Sequence, residues 1–197
     1  MRKTSILQVS LFAEHDVVLA RQRVRQVASK LGVPPGAQTR LATAVSEITR
    51  NAFQYGEGGR VEILLEGGDA PTLWVRIHDR GPGIPNLQDI LDGHYRSKTG
   101  LGLGLLGAKR LVEHFSVQSA PGSTQVELGQ SVPGVVDDGT VRRLVEALAR
   151  EPAGDAFTEV LQQNQELLET QQALAQANHD LEEADRAKDH FLAMLGH

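Results

Sequence analysis

Apolar and polar positions in the first 130 residues follow two periods, which predict a domain of mixed helices and strands. Apolar residues on one face of a 3.6-residue period predict helices at residues 15–31, 37–55 and 102–115. The sequence predicts short β-strands at residues 5–11, 61–66, 72–78, 117–120 and 124–128. The resulting order, β-α-α-β-β-loop-α-β-β, predicts an α+β fold. We expect a two-layer α/β sandwich with helices packed on one face of a mostly antiparallel sheet.

The composition changes after Gln130, and the sequence predicts three parts. Residues 1–131 form the domain, 132–154 form a linker with a short helix, and 155–197 form a long C-terminal helix. Leucines recur at seven-residue spacing in this last part, and mainly polar residues occupy the alternate heptad position. That pattern favours a weak parallel coiled coil and hence a homodimer. A solvated single helix within a linker is the alternative.

Charge and composition exclude several classes of protein. The net charge is −5 and there is no long basic run, so nucleic acid is not an expected partner. The absence of cysteine excludes disulfides, thiol catalysis and cysteine-based zinc sites. No window approaches the roughly 18 apolar residues that a membrane helix requires. We therefore expect no membrane segment and a cytoplasmic location, either alone or as a piece of a larger protein.

Two polar residues of the second predicted helix are the first candidates for chemistry. Glu47 and Asn51 are four residues apart and therefore share a helix face beside the apolar stripe. A carboxylate there can orient or deprotonate a nucleophile. A neutral amide oxygen can bind Mg²⁺, which prefers oxygen ligands together with substrate phosphates. Taken alone, the pair is more typical of an exposed helix surface than of a functional site.

An acidic residue follows the third predicted strand and introduces a glycine-rich turn. Asp79 is succeeded by Arg80 and then by Gly81-Pro82-Gly83. A Pro-Gly turn accounts for the glycines, but it does not account for an acid directly after an apolar strand. A carboxylate at a strand end can accept hydrogen bonds from a ligand amine, so the segment is a candidate binding site.

A second glycine cluster, Gly100-Leu-Gly102-Leu-Gly104, runs into the third predicted helix. Glycines before a helix allow backbone N–H groups to approach an anion, which the helix dipole also favours. The overlapping stretch Gly102-Leu-Gly104-Leu-Leu-Gly107 also matches the dinucleotide fingerprint G-x-G-x-x-G, although the strand which that fingerprint requires is missing. Close helix packing is a further alternative. Lys98 precedes the cluster and could either meet phosphate charge or solvate the loop.

Taken in order, these three signals resemble the N, G1 and G2 boxes of the GHKL superfamily of ATPases and kinases. The resemblance covers roughly residues 5 to 130 and implies the Bergerat-type ATP-binding fold. The segments AVSEITRNAFQYG and TGLGLGLLGAKRLVEHF look most like the small switch kinases of the RsbT and anti-sigma-factor type. Those kinases phosphorylate serine or threonine on a partner of the STAS class. The short segment between the boxes also fits that group.

The resemblance implies a role for each matching position. Glu47 would be the catalytic base or water-polarising acid, and Asn51 would bind Mg²⁺. Asp79 would accept the adenine amino group. Thr124 would support adenine recognition, with Ser123 as its competitor because the register there is uncertain by one residue. Gly81 and Gly83 would shape the adenine pocket. The phosphates would be lined by Gly100, Gly102 and Gly104, with Lys98 beside them.

The last residues, AKDHFLAMLGH, resemble the start of a sensor histidine kinase dimerisation helix. In that alignment His197 is the phosphoacceptor candidate, and the chain stops on it. The resemblance therefore implies a piece of a longer sensor kinase that continues past this histidine.

These observations favour an ATP- and Mg²⁺-dependent protein kinase module of a bacterial sensor histidine kinase. Its phosphoryl group would pass to serine or threonine of a STAS-type partner, or into a His-Asp relay with a response regulator. A non-catalytic input domain that senses ATP or ADP, and controls a downstream kinase through the coiled coil, is the alternative. A plain scaffold without nucleotide affinity is the third hypothesis.

Overall fold

The computed structural model describes residues 3–92 and 104–150, and all of them belong to one compact unit that spans Met1–Gly154. The described strands are β1 Lys3–Leu11, β2 Gly59–Glu66, β3 Thr72–Asp79, β4 His114–Ala120 and β5 Ser123–Ser131. The described helices are α1 Glu14–Lys30, α2 Pro35–Tyr55, α3 Leu87–Leu91, α4 Leu105–Leu111 and α5 Asp138–Arg150. The predicted coiled coil at 155–197 lies outside the described residues.

The five strands form one antiparallel sheet in the order β1-β2-β3-β5-β4. Helix α2 packs against β2, β3 and β5, and α1 packs against β1 and α2. Alternate residues of each central strand therefore enter a core shared with the helices. The largest side chains that are fully buried there include Leu41, Ile63, Leu73, Ile77 and Leu128. The α+β fold with an antiparallel sheet is confirmed.

Within the described residues, the face of the sheet opposite to the helices carries a ladder of opposite charges. Arg76 on β3 lies between Glu62 on β2 and Glu127 on β5, at nitrogen–oxygen distances of 3.3 and 2.8 Å. Lys3 contacts Glu127 at 3.0 Å and also lies 3.8 Å from the ring centre of Trp74. Burial raises the pKa of Glu127, but hydrogen bonds from Lys3 and Arg76 outweigh it and the pKa is lowered. A polar surface of this kind is compatible with solvent, so the sheet does not need a layer on this face to cover it.

Local signals determine where the two long helices begin and end. The Asp16 carboxylate accepts the backbone N–H groups of Phe12 and Ala13, both at 2.8 Å, at the start of α1. Pro35 occupies the first position of α2, where a missing N–H costs nothing. At its other end α2 stops at Gly56, whose N–H bonds to the carbonyl of Ala52.

The third predicted helix, at 102–115, extends beyond the C-terminal end of the observed helix. Helix α4 ends at Leu111, Val112 is extended, and β4 already begins at His114. The apolar side chains of 111, 112 and 115 fit both periods, but pairing with β5 from His114↔Gly129 onwards decides for a strand. The Glu113 carboxylate supports the change of direction, since it accepts hydrogen bonds from the Gln130 side chain and the Ser131 N–H. The predicted loop after Asp79 also contains an unexpected short helix, α3.

The segment after β5, which the sequence indicated as a linker, packs against the domain. Val132, Val136, Leu144 and Leu148 are buried in the same core as the sheet. Helix α5 contacts α1, and its first turn is capped by Asp137, which accepts the Thr140 N–H at 2.7 Å. This capping lowers the pKa of Asp137, first through its hydrogen bond with the Thr140 side chain.

We expect Leu148→Ala to lower the free energy of unfolding by about 2 kcal/mol, because it removes a buried side chain and leaves a cavity. Val145→Ala is the matched control on the same helix, since Val145 is 41 % exposed, and it should change stability by less than about 0.5 kcal/mol. Urea unfolding can be followed through Trp74, the only tryptophan in the chain. Equal stability of the two variants would contradict the packing of α5 against the domain.

Candidate functional site

A cavity of about 540 Å³ opens between α2 and the end of the sheet where β3 finishes and β5 begins. That volume is typical of small-molecule sites. Its walls are mainly apolar, with a few polar side chains at the floor and rim. The lining residues are Ile48, Asn51, Ala52, Tyr55, Gly56, Asp79, Pro82, Gly83, Ile84, Pro85, Asn86, Ile90, Gly104, Leu105, Thr124 and Val126.

Helix α2 contributes one wall of the cavity. Asn51 lines it together with Ile48 one turn earlier and Tyr55 one turn later. Glu47 precedes Asn51 by one turn and is not among the lining residues. Its side chain is 25 % exposed, and its only close charged neighbour within the described residues is Arg50, at 3.8 Å. The carboxylate of Glu47 is therefore accessible from solvent beside the cavity.

Asp79 forms the floor at the end of β3. One of its carboxylate oxygens, Oδ1, accepts the Gly81 backbone N–H at 2.9 Å, which orients the side chain. Burial raises the pKa of Asp79, while the Gly81 hydrogen bond and the neighbouring His78 act in the opposite direction. Within the described residues no hydrogen bond is made to the second oxygen, Oδ2. A half-buried carboxylate with one free oxygen is suited to accept a hydrogen bond from a ligand.

Glycines allow α2 to approach this floor closely. A Cβ atom at Gly56 would lie 2.4 Å from the Cβ of Asp79, and one at Gly81 would lie 2.7 Å from the Cα of Gly56. Gly83 has a φ of +81°, a conformation that favours glycine, and it lines the cavity. Gly81 does not line the cavity, but its lack of a side chain makes room for the end of α2 at Tyr55 and Gly56.

Thr124 on β5 completes the floor. It is the direct cross-strand partner of Asp79 on β3 and of Ser119 on β4, so the three side chains share one face of the sheet. Thr124 is buried, and its hydroxyl lies 3.0 Å from that of Ser119. Ser123, the competing candidate, is exposed and contacts His78 at 3.3 Å instead. The structure therefore brings Thr124, and not Ser123, to the cavity.

Comparison with known proteins identifies the family of this domain. A family model described as histidine kinase-, DNA gyrase B-, and HSP90-like ATPase matches residues 36–133. Serine/threonine-protein kinase RsbT of Bacillus subtilis is 37% identical over 115 residues, which are 58% of this chain and 86% of RsbT. The protein belongs to this GHKL family. Membership implies that the domain binds ATP.

Sensor kinases are also related to this GHKL domain. Sensor histidine kinase GtrS of Pseudomonas aeruginosa is 32% identical over 114 residues, which are 55% of this chain and 24% of GtrS. The signal transduction histidine-protein kinase/phosphatase MprB of Mycolicibacterium vanbaalenii is 28% identical over 160 residues, 75% of this chain and 32% of MprB. The chain thus spans nearly all of one relative but about a quarter to a third of the longer ones.

The predicted site residues of this GHKL domain fall into three groups. The structure brings Asn51, Asp79, Gly83, Gly104 and Thr124 to one cavity. Glu47 and Gly81 lie beside it. The remaining predicted residues lie outside the described residues: Lys98, Gly100, Gly102 and His197.

A magnesium ion would have few protein ligands at this GHKL site. No group of three or more acidic or histidine side chains suited to a metal occurs within residues 3–92 and 104–150. The Asn51 amide oxygen on the cavity wall does fit Mg²⁺, because this ion usually keeps several waters and binds through few protein oxygens plus substrate phosphates.

No helix in the described part of the chain is long and apolar enough to cross a membrane.

Several residues of the cavity were missed by reasoning from sequence. The apolar wall residues, such as Ile48, Ala52 and Val126, resemble ordinary core positions because each also follows the period of its helix or strand. Gly56 resembled a turn glycine, although it sits one residue past the helix that carries Asn51. Ser119 gave no signal at all, because only strand pairing places it beside Thr124.

We expect Gly56→Ala to lower the free energy of unfolding by about 3 kcal/mol and to impair the cavity. The added methyl group would overlap the Asp79 side chain and the Ala52 carbonyl oxygen, 2.4 and 2.6 Å away, and neither can move without shifting backbone. Gly36→Ala is the matched control at the other end of α2, where only a flexible arginine tip comes near, at 3.6 Å. It should be neutral or stabilising by up to about 1 kcal/mol. Similar thermal unfolding of both variants would contradict the close approach.

Proposed function

We propose that this GHKL domain binds ATP with Mg²⁺ and transfers the terminal phosphoryl group to a serine or threonine of a partner protein. The observation that carries the proposal is the gathering of Asn51, Asp79 and Thr124, from one helix and two strands, around a single apolar cavity. A phosphorylated purine needs a hydrogen-bond acceptor at the floor of the cavity, an amide oxygen on its wall and a glycine-rich rim.

The purine ring would lie between apolar walls, to which Ile48 and Ala52 of α2 and the loop residue Ile84 all contribute. Asp79 Oδ2 would accept a hydrogen bond from the adenine amino group. Flat aromatic ligands gain binding free energy from such burial, while one or two polar contacts determine orientation. The hydrogen bond from Gly81 keeps Asp79 in place before the ligand arrives.

The phosphates would extend towards Asn51 and Gly104 at the rim. Gly104 lines the cavity just before α4, and no atom of the described residues lies within 4 Å of a Cβ built on it. A phosphate can therefore come close to its backbone. We propose that Lys98, Gly100 and Gly102 complete this side. When bound through Asn51, Mg²⁺ supplies positive charge that stabilises the phosphates.

Glu47 is the candidate catalytic residue. Its carboxylate lies one helical turn from Asn51 and is partly exposed, so a hydroxyl group of a separate protein could reach it. Accepting the hydroxyl proton would increase the nucleophilicity of the oxygen that attacks the terminal phosphate. This arrangement supports a protein substrate rather than hydrolysis within a closed site.

A hydroxyl acceptor is supported by the relative whose length the chain almost covers, since RsbT is named as a serine/threonine-protein kinase. The STAS class of partner rests on the resemblance of the motifs alone. Transfer into a His-Asp relay, with His197 as phosphoacceptor and a response regulator downstream, is supported by the two histidine kinase relatives. ATP as phosphoryl donor fits the cytoplasmic location expected from the sequence.

One observation favours a second candidate, a nucleotide sensor without transfer. Helix α5 packs on α1 and ends at Arg150, close to the start of the heptad pattern at residue 155. A change in the domain could therefore reach the C-terminal segment, which we propose forms a coiled-coil homodimer. In this case ATP or ADP would act as a signal.

Labelled ATP distinguishes the two candidates. The full chain is incubated with Mg²⁺ and terminally labelled ATP, alone and with purified STAS-domain proteins, and binding is measured in parallel by calorimetry. Label on a serine or threonine of a STAS protein supports the kinase, and tight binding without transfer or self-labelling supports the sensor. Absence of binding would refute both.

A further inference from the structure

Ser119 contacts the proposed nucleotide site without lining it. Its hydroxyl oxygen accepts the backbone N–H of Ile84 at 2.8 Å and lies 3.0 Å from the hydroxyl of Thr124. Thr124 itself lines the cavity and is only 6% exposed. The three groups form a chain of hydrogen bonds that leads from the loop after β3 to the floor of the cavity.

Either hydroxyl can donate in the Ser119–Thr124 pair, and the outer end of the chain favours donation from Ser119. A backbone N–H can only donate, whereas each hydroxyl has one proton and can both donate and accept. Once Ser119 has accepted the Ile84 N–H, its own proton is best used towards Thr124. The proton of Thr124 is then left to point into the cavity. Hydrogen bonds that all run in one direction also polarise and strengthen one another.

A purine at this floor presents the group at C6 and the neighbouring ring nitrogen N1. That edge lies opposite N9, which carries the ribose, so it is the edge that reaches deepest. In adenine the C6 amino group donates and N1 accepts. In hypoxanthine and guanine the C6 oxygen accepts and N1–H donates.

We propose that Ser119 is a specificity-determining residue that makes Thr124 a hydrogen-bond donor and thereby selects adenine at N1. The inference rests on the proposed ATP site, in which Asp79 accepts the amino group. With adenine, all donors and acceptors pair: Ile84 N–H to Ser119, Ser119 to Thr124, and Thr124 to N1. With hypoxanthine, N1–H would turn Thr124 towards Ser119. Ser119 would then receive two donors, and its own proton would have no partner in the chain.

Replacing Ser119 should therefore change selectivity more than affinity. We compare ATP with inosine triphosphate, which differs from ATP at C6 and N1 and carries no additional group at C2. In Ser119→Ala, Thr124 is free to accept as well as donate. The preference for ATP over inosine triphosphate should fall about fivefold to tenfold, the range of a single hydrogen bond. The affinity for ATP itself should change less than about threefold, since Thr124 can still donate to N1.

Two further variants test whether the hydroxyl is responsible. Ser119→Thr retains the hydroxyl on a strand and should keep the preference of the wild type. Ser116→Ala is the matched control, because Ser116 is an exposed residue of the same strand whose cross-strand partner is Glu127 on the charged face. Competition between the two nucleotides, measured by calorimetry for all four proteins, gives the ratios.

The outcomes separate the inference from the function on which it rests. A reduced preference in Ser119→Ala, restored in Ser119→Thr, supports the role of Ser119. An unchanged ratio, or an equal loss of both nucleotides, overturns it and leaves the ATP site in place. A wild-type protein that binds neither nucleotide refutes the proposed function itself.

Discussion

Asp79→Asn is expected to weaken ATP binding at least about 100-fold while leaving the fold intact. The Asn oxygen can still accept the Gly81 N–H, so the side chain keeps its orientation. Its second group becomes an NH₂, which would face the adenine amino group as donor against donor. Loss of a charge-assisted hydrogen bond and burial of an unpaired donor together cost about 3 kcal/mol, which corresponds to the stated loss of affinity.

The same substitution should not destabilise the free protein. Burial raises the pKa of Asp79, so above that pKa the ionised carboxylate costs the folded state free energy that a neutral amide does not. As the pH falls through the raised pKa, the folded wild type takes up its proton first and gains stability relative to the variant. Thermal unfolding at several pH values checks this direction.

Ser123→Ala serves as the control for Asp79→Asn, since Ser123 lies one residue from Thr124 but contacts His78 outside the cavity. Calorimetry with ATP and Mg²⁺ should give wild-type heat for Ser123→Ala and almost none for Asp79→Asn. The same affinity for ATP in the wild type and both variants would show that Asp79 does not contact the adenine base.

Glu47→Gln is expected to reduce phosphoryl transfer by about 100-fold to 10,000-fold, the range for removal of a general base. Glutamine has the shape of glutamate but cannot take up the acceptor proton at neutral pH. Because Glu47 does not line the cavity, the affinity for ATP should stay within about threefold. Transfer of label to a STAS-domain acceptor gives the rate, and calorimetry gives the affinity.

Glu57→Gln is the matched control for this carboxylate. Glu57 is exposed in the turn after α2 and belongs to no predicted motif, so the variant should transfer phosphate at the wild-type rate. If Glu47→Gln retained full transfer, the assignment of Glu47 as base would be wrong. If the wild type bound ATP without transfer to any acceptor, the sensor would be the better account.

The outline of the site was predictable because its polar residues lie close together in sequence or beside glycines. Glu47 and Asn51 are one helical turn apart, and Asp79 is followed by two glycines within four residues. Spacing of this kind reports local geometry, which depends on helix and turn rules rather than on distant contacts. The α+β fold followed from the same local periods.

These local rules could not predict the register of the β-strands. Ser123 and Thr124 are neighbours with similar side chains, and only pairing of β5 with β3 decides which one faces the cavity. A shift of one residue turns every side chain of a strand to the other face, so this choice depends on the whole sheet. The end of the third helix differed for a related reason, since pairing with β5 outweighed a helical pattern at 112–115.

The sequence by itself therefore determines the GHKL motifs, the two-layer class and most of the polar groups that a nucleotide would meet. These features depend on residues that are near one another in sequence. The apolar walls, the fit of Gly56 against Asp79, the packing of α5 on α1 and the link from Ile84 through Ser119 to Thr124 all join residues that are far apart along the chain. Such contacts exist only after the sheet has assembled and α2 has packed on it. Close packing and strand pairing therefore determine the shape of the site and the strand residues that reach it, whereas local spacing indicates the polar groups that lie near one another in sequence.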